Sequence, residues 1–238
     1  MLEHNPSAPI VLEDRPDYWV LFKPAGWFVH PPSDTRAKKQ FAQFILTSWF
    51  MRELGQKAFP IHRLDFGTEG VMIWAKTATA ASLFNELHGS ENLQKTYRAV
   101  VRGHTPDQGV IDVPLLSDSS PQEVACRTEY TTRARIELPA QINSPHATSR
   151  YSLVEVKLKT GRWHQIRRHF NRVSHPIMGD REHGDSHHNR FFRDHLQIPG
   201  LLLQAQKLEF TCPFAGCPET LQAPENERWN KIHGLFNP

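Results

Sequence analysis

Cysteine is scarce in this chain: Cys126, Cys212 and Cys217 are the only three in 238 residues. An odd count without close spacing excludes a disulfide framework and points to a reducing compartment. Cys212 and Cys217 flank Pro-Phe-Ala-Gly, and no second Cys or His pair follows at zinc-finger spacing, so this segment reads as a turn. No apolar run approaches the roughly 20 residues needed to cross a bilayer. The first residues, Met1-Leu-Glu-His-Asn-Pro-Ser7, lack the basic-then-apolar order of a secretory leader. A glycine-rich phosphate-cradling loop is also missing. These absences lead us to expect a soluble cytoplasmic protein, with no metal and no membrane partner.

What is present is an ordinary globular composition, 39% hydrophobic and 22% charged. The net charge of +3 permits a polyanionic partner without requiring one, and the 14 histidines add groups able to face phosphate or bases. Strands are expected over 18–23, 97–102, 110–116, 151–159 and 201–210, with a strand pair around 126–138. Helices are expected over 38–54, 77–88 and 163–173. In the last of these Ile166, Phe170 and Val173 point inward, and Arg167, Arg168 and Arg172 lie on or beside the outer face. Segment 139–149 reads as an exposed loop, and 180–198 as a basic loop with Phe191 and Phe192 interleaved. Its histidines match no metal-ligand spacing. The tail carries Trp229, which closes the domain. Uneven alternation of long strands with few helices indicates an α+β fold. Without repeats or a linker, 1–238 reads as a single domain.

The chemically richest stretch is 61–76, Ile-His-Arg-Leu-Asp-Phe-Gly-Thr-Glu-Gly-Val-Met-Ile-Trp-Ala-Lys. It sets His62, Arg63, Asp65 and Thr68 on a loop punctuated by Gly67 and Gly70, running into an apolar strand. A carboxylate on a loop held by a rigid strand is a common way to place a reactive group. On spacing alone, a surface loop whose Asp caps a turn fits as well.

His62-Arg63-Leu64-Asp65, with Thr68 and Gly70, resembles the H-R-L-D-x-x-T-x-G signature of the RluA family of pseudouridine synthases. Lys23-Pro24-Ala25-Gly26 resembles that family's K-P-x-G segment, and Gln94-Lys95-Thr96-Tyr97-Arg98-Ala99 its tyrosine-bearing strand. Thr160-Gly161-Arg162-Trp163-His164-Gln165-Ile166-Arg167-Arg168-His169, followed by Gly179-Asp180, resembles its T-G-R-x-H-Q-[IL]-R-x-H block. Four blocks in register across most of a chain are far more specific than any one of them. The resemblance implies the pseudouridine-synthase catalytic fold: a bent, mixed, largely antiparallel sheet with flanking helices and a central RNA-binding cleft. With the K-P-x-G block already at Lys23, it leaves no room for a small RNA-binding domain ahead of the catalytic one.

It also implies an isomerase that breaks the N1–C1′ bond of uridine and joins C5 to C1′, without redox change and therefore without a cofactor. Asp65 would supply the catalytic carboxylate, whether by attack at C1′, attack at C6 or proton abstraction. Arg167 would pair with that carboxylate, and Tyr97 would stack on uracil or serve a proton step. The target base must leave its stack first, and Arg63 would fill the gap. His62 would shape the motif loop, while Lys23, Lys159, Arg162 and Arg168 would contact phosphate. Leu203 would line the uracil pocket. Glu69 and Phe66 depart from the family, which usually has Ser and often a basic residue there. Glu69 brings negative charge near the site, which phosphate avoids unless a cation answers it. The pattern is most similar to the tRNA-acting branch, with a uridine near the acceptor/T-stem junction as target. An rRNA substrate and a non-catalytic RNA-binding protein on the same fold are the alternatives. A monomer is expected.

Overall fold

The computed structural model describes residues 6–87, 92–117, 120 and 122–237. The extreme N-terminus and His88, the expected end of a helix, lie outside these residues. In chain order the elements are β1 (Ile10–Asp14), β2 (Tyr18–Lys23), α1 (Thr35–Gln40), α2 (Leu46–Leu54), β3 (Phe59–Pro60) and β4 (Glu69–Ala75). Next come α3 (Ala78–Asn85), β5 (Leu93–Arg102), β6 (Gln108–Ile111), β7 (Leu115–Leu116), β8 (Glu123–Val124) and β9 (Thr128–Leu138). The chain ends with β10 (Ser149–Leu158), α4 (Gln165–Arg172), α5 (Ser186–Asp194), β11 (Leu203–Thr211), β12 (Pro218–Gln222) and α6 (Glu227–Phe236). It divides into two compact units, Met1–Gln94 with Ala205–Ala223, and Lys95–Gln204 with Pro224–Pro238. Two of the crossings fall inside β5 and β11, where the sequence has no linker composition to mark them.

In the first unit β4 is buried along its whole length and pairs antiparallel with β2, placing Lys23 opposite Gly70. Alternate side chains serve two faces. Val71, Ile73 and Ala75 join Tyr18, Val20, Phe22 and the α3 residues Ala80 and Phe84 in one core cluster. On the other face the Trp74 ring lies 4.6 Å from Phe50 of α2. Helix α3 starts at Thr77, whose hydroxyl accepts the Ala80 N–H at 3.0 Å.

The expected helix over 38–54 is broken into α1, a 3₁₀ turn at Ala42–Phe44, and α2. The cause is tertiary. Phe28 donates to the Phe44 carbonyl at 2.9 Å and accepts from the Leu46 N–H at 2.8 Å, which takes backbone groups that a continuous helix needs. Phe41 and Phe44 then pack on Phe28 and Trp27.

In the second unit β10 lies antiparallel between β5 and β9, and β6 adds to the edge of β9. Its core combines Val100, Tyr151, Leu153, Met178, Phe192 and Leu202 with Trp229, Ile232 and Phe236 of α6. The segment read as a basic loop over 180–198 contains α5. Asp185 caps it by accepting from the His187 and His188 amides at 2.9 and 3.3 Å. Its inward face is His188 and Phe192, and the His188 ring bonds the Tyr151 hydroxyl at 2.8 Å. A buried histidine in place of an aliphatic residue hid the helical stripe. Helix α4 is shorter than expected and leaves Val173 exposed.

Gly70 has φ of +140°, and a Cβ there would lie 2.6 Å from both the Cβ and the amide nitrogen of Ala205. Gly70→Ala meets backbone on one side and a disfavoured φ on the other, so it should lower stability by more than about 2 kcal/mol. Urea denaturation measures this, and a loss near zero would contradict the close approach.

Candidate active site

Asp65 sits at the turn between the buried segment Ile61–Leu64 and β4. It is partly exposed, while Ile61, His62, Leu64 and Thr68 around it are buried and Arg63 is exposed. The Thr68 N–H closes the turn on the Asp65 carbonyl at 3.0 Å. The Gly26 N–H donates to the Phe66 carbonyl at 2.7 Å, tying the K-P-x-G segment to the same loop. Phe66, where the family often has a basic residue, packs its ring 4.4 Å from Phe28 and 5.2 Å from Phe41. Its departure from the pattern is thus spent on fixing the loop from below.

Lys23 corrects the sequence reading. It was expected to contact phosphate, yet it is 0% exposed at the end of β2. Its ammonium donates to the carbonyls of Thr68 at 2.6 Å, Pro24 at 3.1 Å and Phe66 at 3.4 Å. An ammonium has three protons, and three carbonyls take them. Phosphate has no donor left to bind. Burial pushes the Lys23 pKa down to about 7, against the opposing pull of Asp65 and Glu69. Glu69 is buried at the start of β4, so the negative charge it adds to the motif is answered from inside the protein by Lys23.

In the second unit Tyr97 is buried in β5, opposite Val156 of β10, and Leu203 is buried at the start of β11. Arg167, expected on or beside the outer face of its helix, is 6% exposed. Its Nε and Nη2 donate to Asp180 at 2.7 and 2.8 Å, a bidentate pair. Nη2 also reaches Glu182 at 3.2 Å. Burial raises the Asp180 pKa, but the Arg167 bonds and the amides of His183 and Glu182 outweigh it and hold the group below its ordinary value. With both partners buried, loss of either costs about 3–5 kcal/mol. The spacing of Arg167 and Asp180 carried no sign of this pair.

The preceding turn is built by Gln165, which donates to the Arg127 carbonyl at 3.1 Å and the Thr128 hydroxyl at 3.0 Å, and accepts from Thr160 at 2.8 Å. His169 bonds Thr128 at 2.9 Å and the Val113 carbonyl at 3.0 Å. These buried bonds explain why the Gln and the second His stand in the block. Lys159 and Arg162 are exposed, and half-buried Arg168 donates to the Leu116 carbonyl at 3.3 Å. Trp163, which the sequence reading left without a role, is 43% exposed and stacks on His164 at 3.8 Å.

A partly exposed aspartate on a loop that leads into a rigid strand and is held by buried Lys23 defines a site suited to carboxylate chemistry. Comparison with known proteins defines the class further. The family model for RNA pseudouridylate synthase matches residues 17–172. Asp65, Tyr97 and the block Thr160–His169 lie inside that match. The chain is 37% identical over 226 residues to the tRNA pseudouridine synthase C of Pectobacterium carotovorum subsp. carotovorum, covering 90% of this chain and 58% of that protein. It is 36% identical to the protein of that name from Vibrio cholerae, covering 90% of each. Among solved structures, human RNA pseudouridylate synthase domain containing 4 superposes with a TM-score of 0.65 at 22% identity, over 94% of this chain and 92% of that one, a likeness of fold. The chain belongs to the RNA pseudouridylate synthase family.

The depressed Lys23 pKa has a direction that can be measured. Between about pH 7 and 10 the unfolded chain holds a proton at this position that the folded one has given up, so stability rises with pH in that window. Lys23→Met should remove up to about 1.4 kcal/mol per pH unit of that slope. Lys95 is pushed down to about 8 by burial and gives a slope of the same sign, but it is present in both proteins and cancels. Urea denaturation of both across the window is the check, and identical slopes would contradict a depressed Lys23.

Proposed function

We propose that this protein isomerises uridine to pseudouridine in tRNA, with Asp65 as its catalytic carboxylate. The observation that carries the reading is the Asp65 loop. Leu64 and Thr68 on either side of the aspartate are buried and the Phe66 ring packs on Phe28, while Asp65 itself is partly exposed. Such fixing places a reactive group without reorganisation at the moment of reaction. The matching names of the two bacterial relatives support tRNA as the substrate class.

The isomerisation balances within the nucleotide. The N1–C1′ bond breaks, the base turns, C5 bonds C1′, and the C5 proton leaves to solvent as N1 gains one. Asp65 serves the departure of the base from C1′. Tyr97 supplies a ring to hold uracil and a hydroxyl for a proton step, and Leu203 an apolar wall. Arg167 supplies positive charge to the carboxylate chemistry, its own orientation fixed by Asp180. Arg63, exposed beside Asp65, takes the place of the flipped base in the stack. Lys159, Arg162 and Arg168 meet backbone phosphates.

The test uses unmodified RNA carrying 5-tritiated uridine, since tritium is released only when C5 forms its new bond. The wild-type protein should release tritium from bulk tRNA, and Asp65→Asn should lower the rate by at least about three orders of magnitude. Undiminished release by Asp65→Asn would remove the aspartate from the chemistry. Release from rRNA alone would overturn the tRNA assignment.

A further inference from the structure

His164, Glu182 and His183 converge in the second unit, from the turn before α4 and the segment after Asp180. Nδ1 of His164 lies 3.0 Å from Nε2 of His183 and 3.6 Å from Oε2 of Glu182. All three donor atoms fall within 4.8 Å of one another. Around a tetrahedral ion with bonds of about 2.0–2.1 Å, ligand atoms stand roughly 3.3 Å apart. The two measured separations bracket that value. Spacing within 180–198 alone gives no ligand set, because the third ligand comes from 18 residues before Glu182.

We propose that His164, Glu182 and His183 form a binding site for a divalent ion of the zinc class, with water completing its coordination. Two imidazoles and one carboxylate suit zinc and its borderline neighbours rather than magnesium or calcium, which take oxygen. Arg167 is the obvious objection, since its cation stands beside the site. Its charge is offset by the bidentate Asp180. It also bonds Oε1 of Glu182, leaving Oε2 as the ligand oxygen, so the arginine orients the carboxylate from behind. Trp163, stacked on the His164 ring, restrains that imidazole on its other side. Glu182 keeps a side-chain exposure of 55%, which gives the ion a way in.

The experiment titrates the metal-stripped full-length protein with zinc against a chromophoric chelator, and with cobalt while recording its visible ligand-field bands. One equivalent of zinc should bind with micromolar or tighter affinity, and cobalt should show the intense bands of a four-coordinate N/O site. His183→Ala and Glu182→Gln should each weaken zinc binding at least tenfold, whereas His187→Ala, an exposed histidine nearby, should leave it unchanged. Circular dichroism of each variant checks folding, and Glu182→Gln preserves shape if His183→Ala does not fold. Absence of a stoichiometric site, or one unaffected by Glu182→Gln in a folded protein, would overturn the assignment.

Discussion

A single ammonium group, buried beneath the loop that carries Asp65, organises the first unit. Lys23 ends β2, faces Gly70 across the β2–β4 ladder, and bonds the carbonyls of Pro24, Phe66 and Thr68. Two of those carbonyls follow the aspartate in its loop and the third lies in the K-P-x-G turn. A charge so deeply buried is costly. Asp65 and Glu69 oppose the desolvation, which still outweighs them and brings the Lys23 pKa down to about 7. The Gly26 and Phe66 backbone bond and the Phe28–Phe41–Phe66 rings reinforce the same geometry without charge.

The second unit repeats the strategy with opposite polarity. There the buried carboxylate of Asp180 holds the guanidinium of Arg167, assisted by amides of Glu182 and His183. In both cases the group proposed to act in the chemistry is positioned by a buried partner of opposite charge. In the second unit both partners are buried, so replacing either leaves an uncompensated charge in low dielectric, which makes that pair expensive to break. The histidine cluster beside Arg167 grows from this arrangement, since the backbone of residues 182 and 183 is fixed on Asp180 before their side chains meet His164.

Strands with clear apolar or alternating patterns, such as β2, β4 and β10, were legible from residue order alone, as was α3. So was the turn at Cys212–Cys217, where the Cys212 N–H meets the Cys217 carbonyl at 2.8 Å. The candidate site residues rest on motif resemblance, and Asp65 is partly exposed. What residue order hid was direction and partner. Lys23 and Arg167 carry charge, and charge usually faces water; only the fold reveals the carbonyls and the carboxylate that hold them inside. Helix α5 escaped notice because its buried face includes His188, and the α1–α2 break because its cause lies 16 residues away at Phe28.

Hydrogen–deuterium exchange of the 62–70 segment in Lys23→Met, compared with the wild type, tests most directly whether the buried ammonium holds the catalytic loop. Faster exchange confined to this segment and to the amide of Gly26, with β9 and β10 unchanged, is the predicted result. Unchanged protection of the loop in a folded Lys23→Met protein would show that the aspartate is held by something other than Lys23.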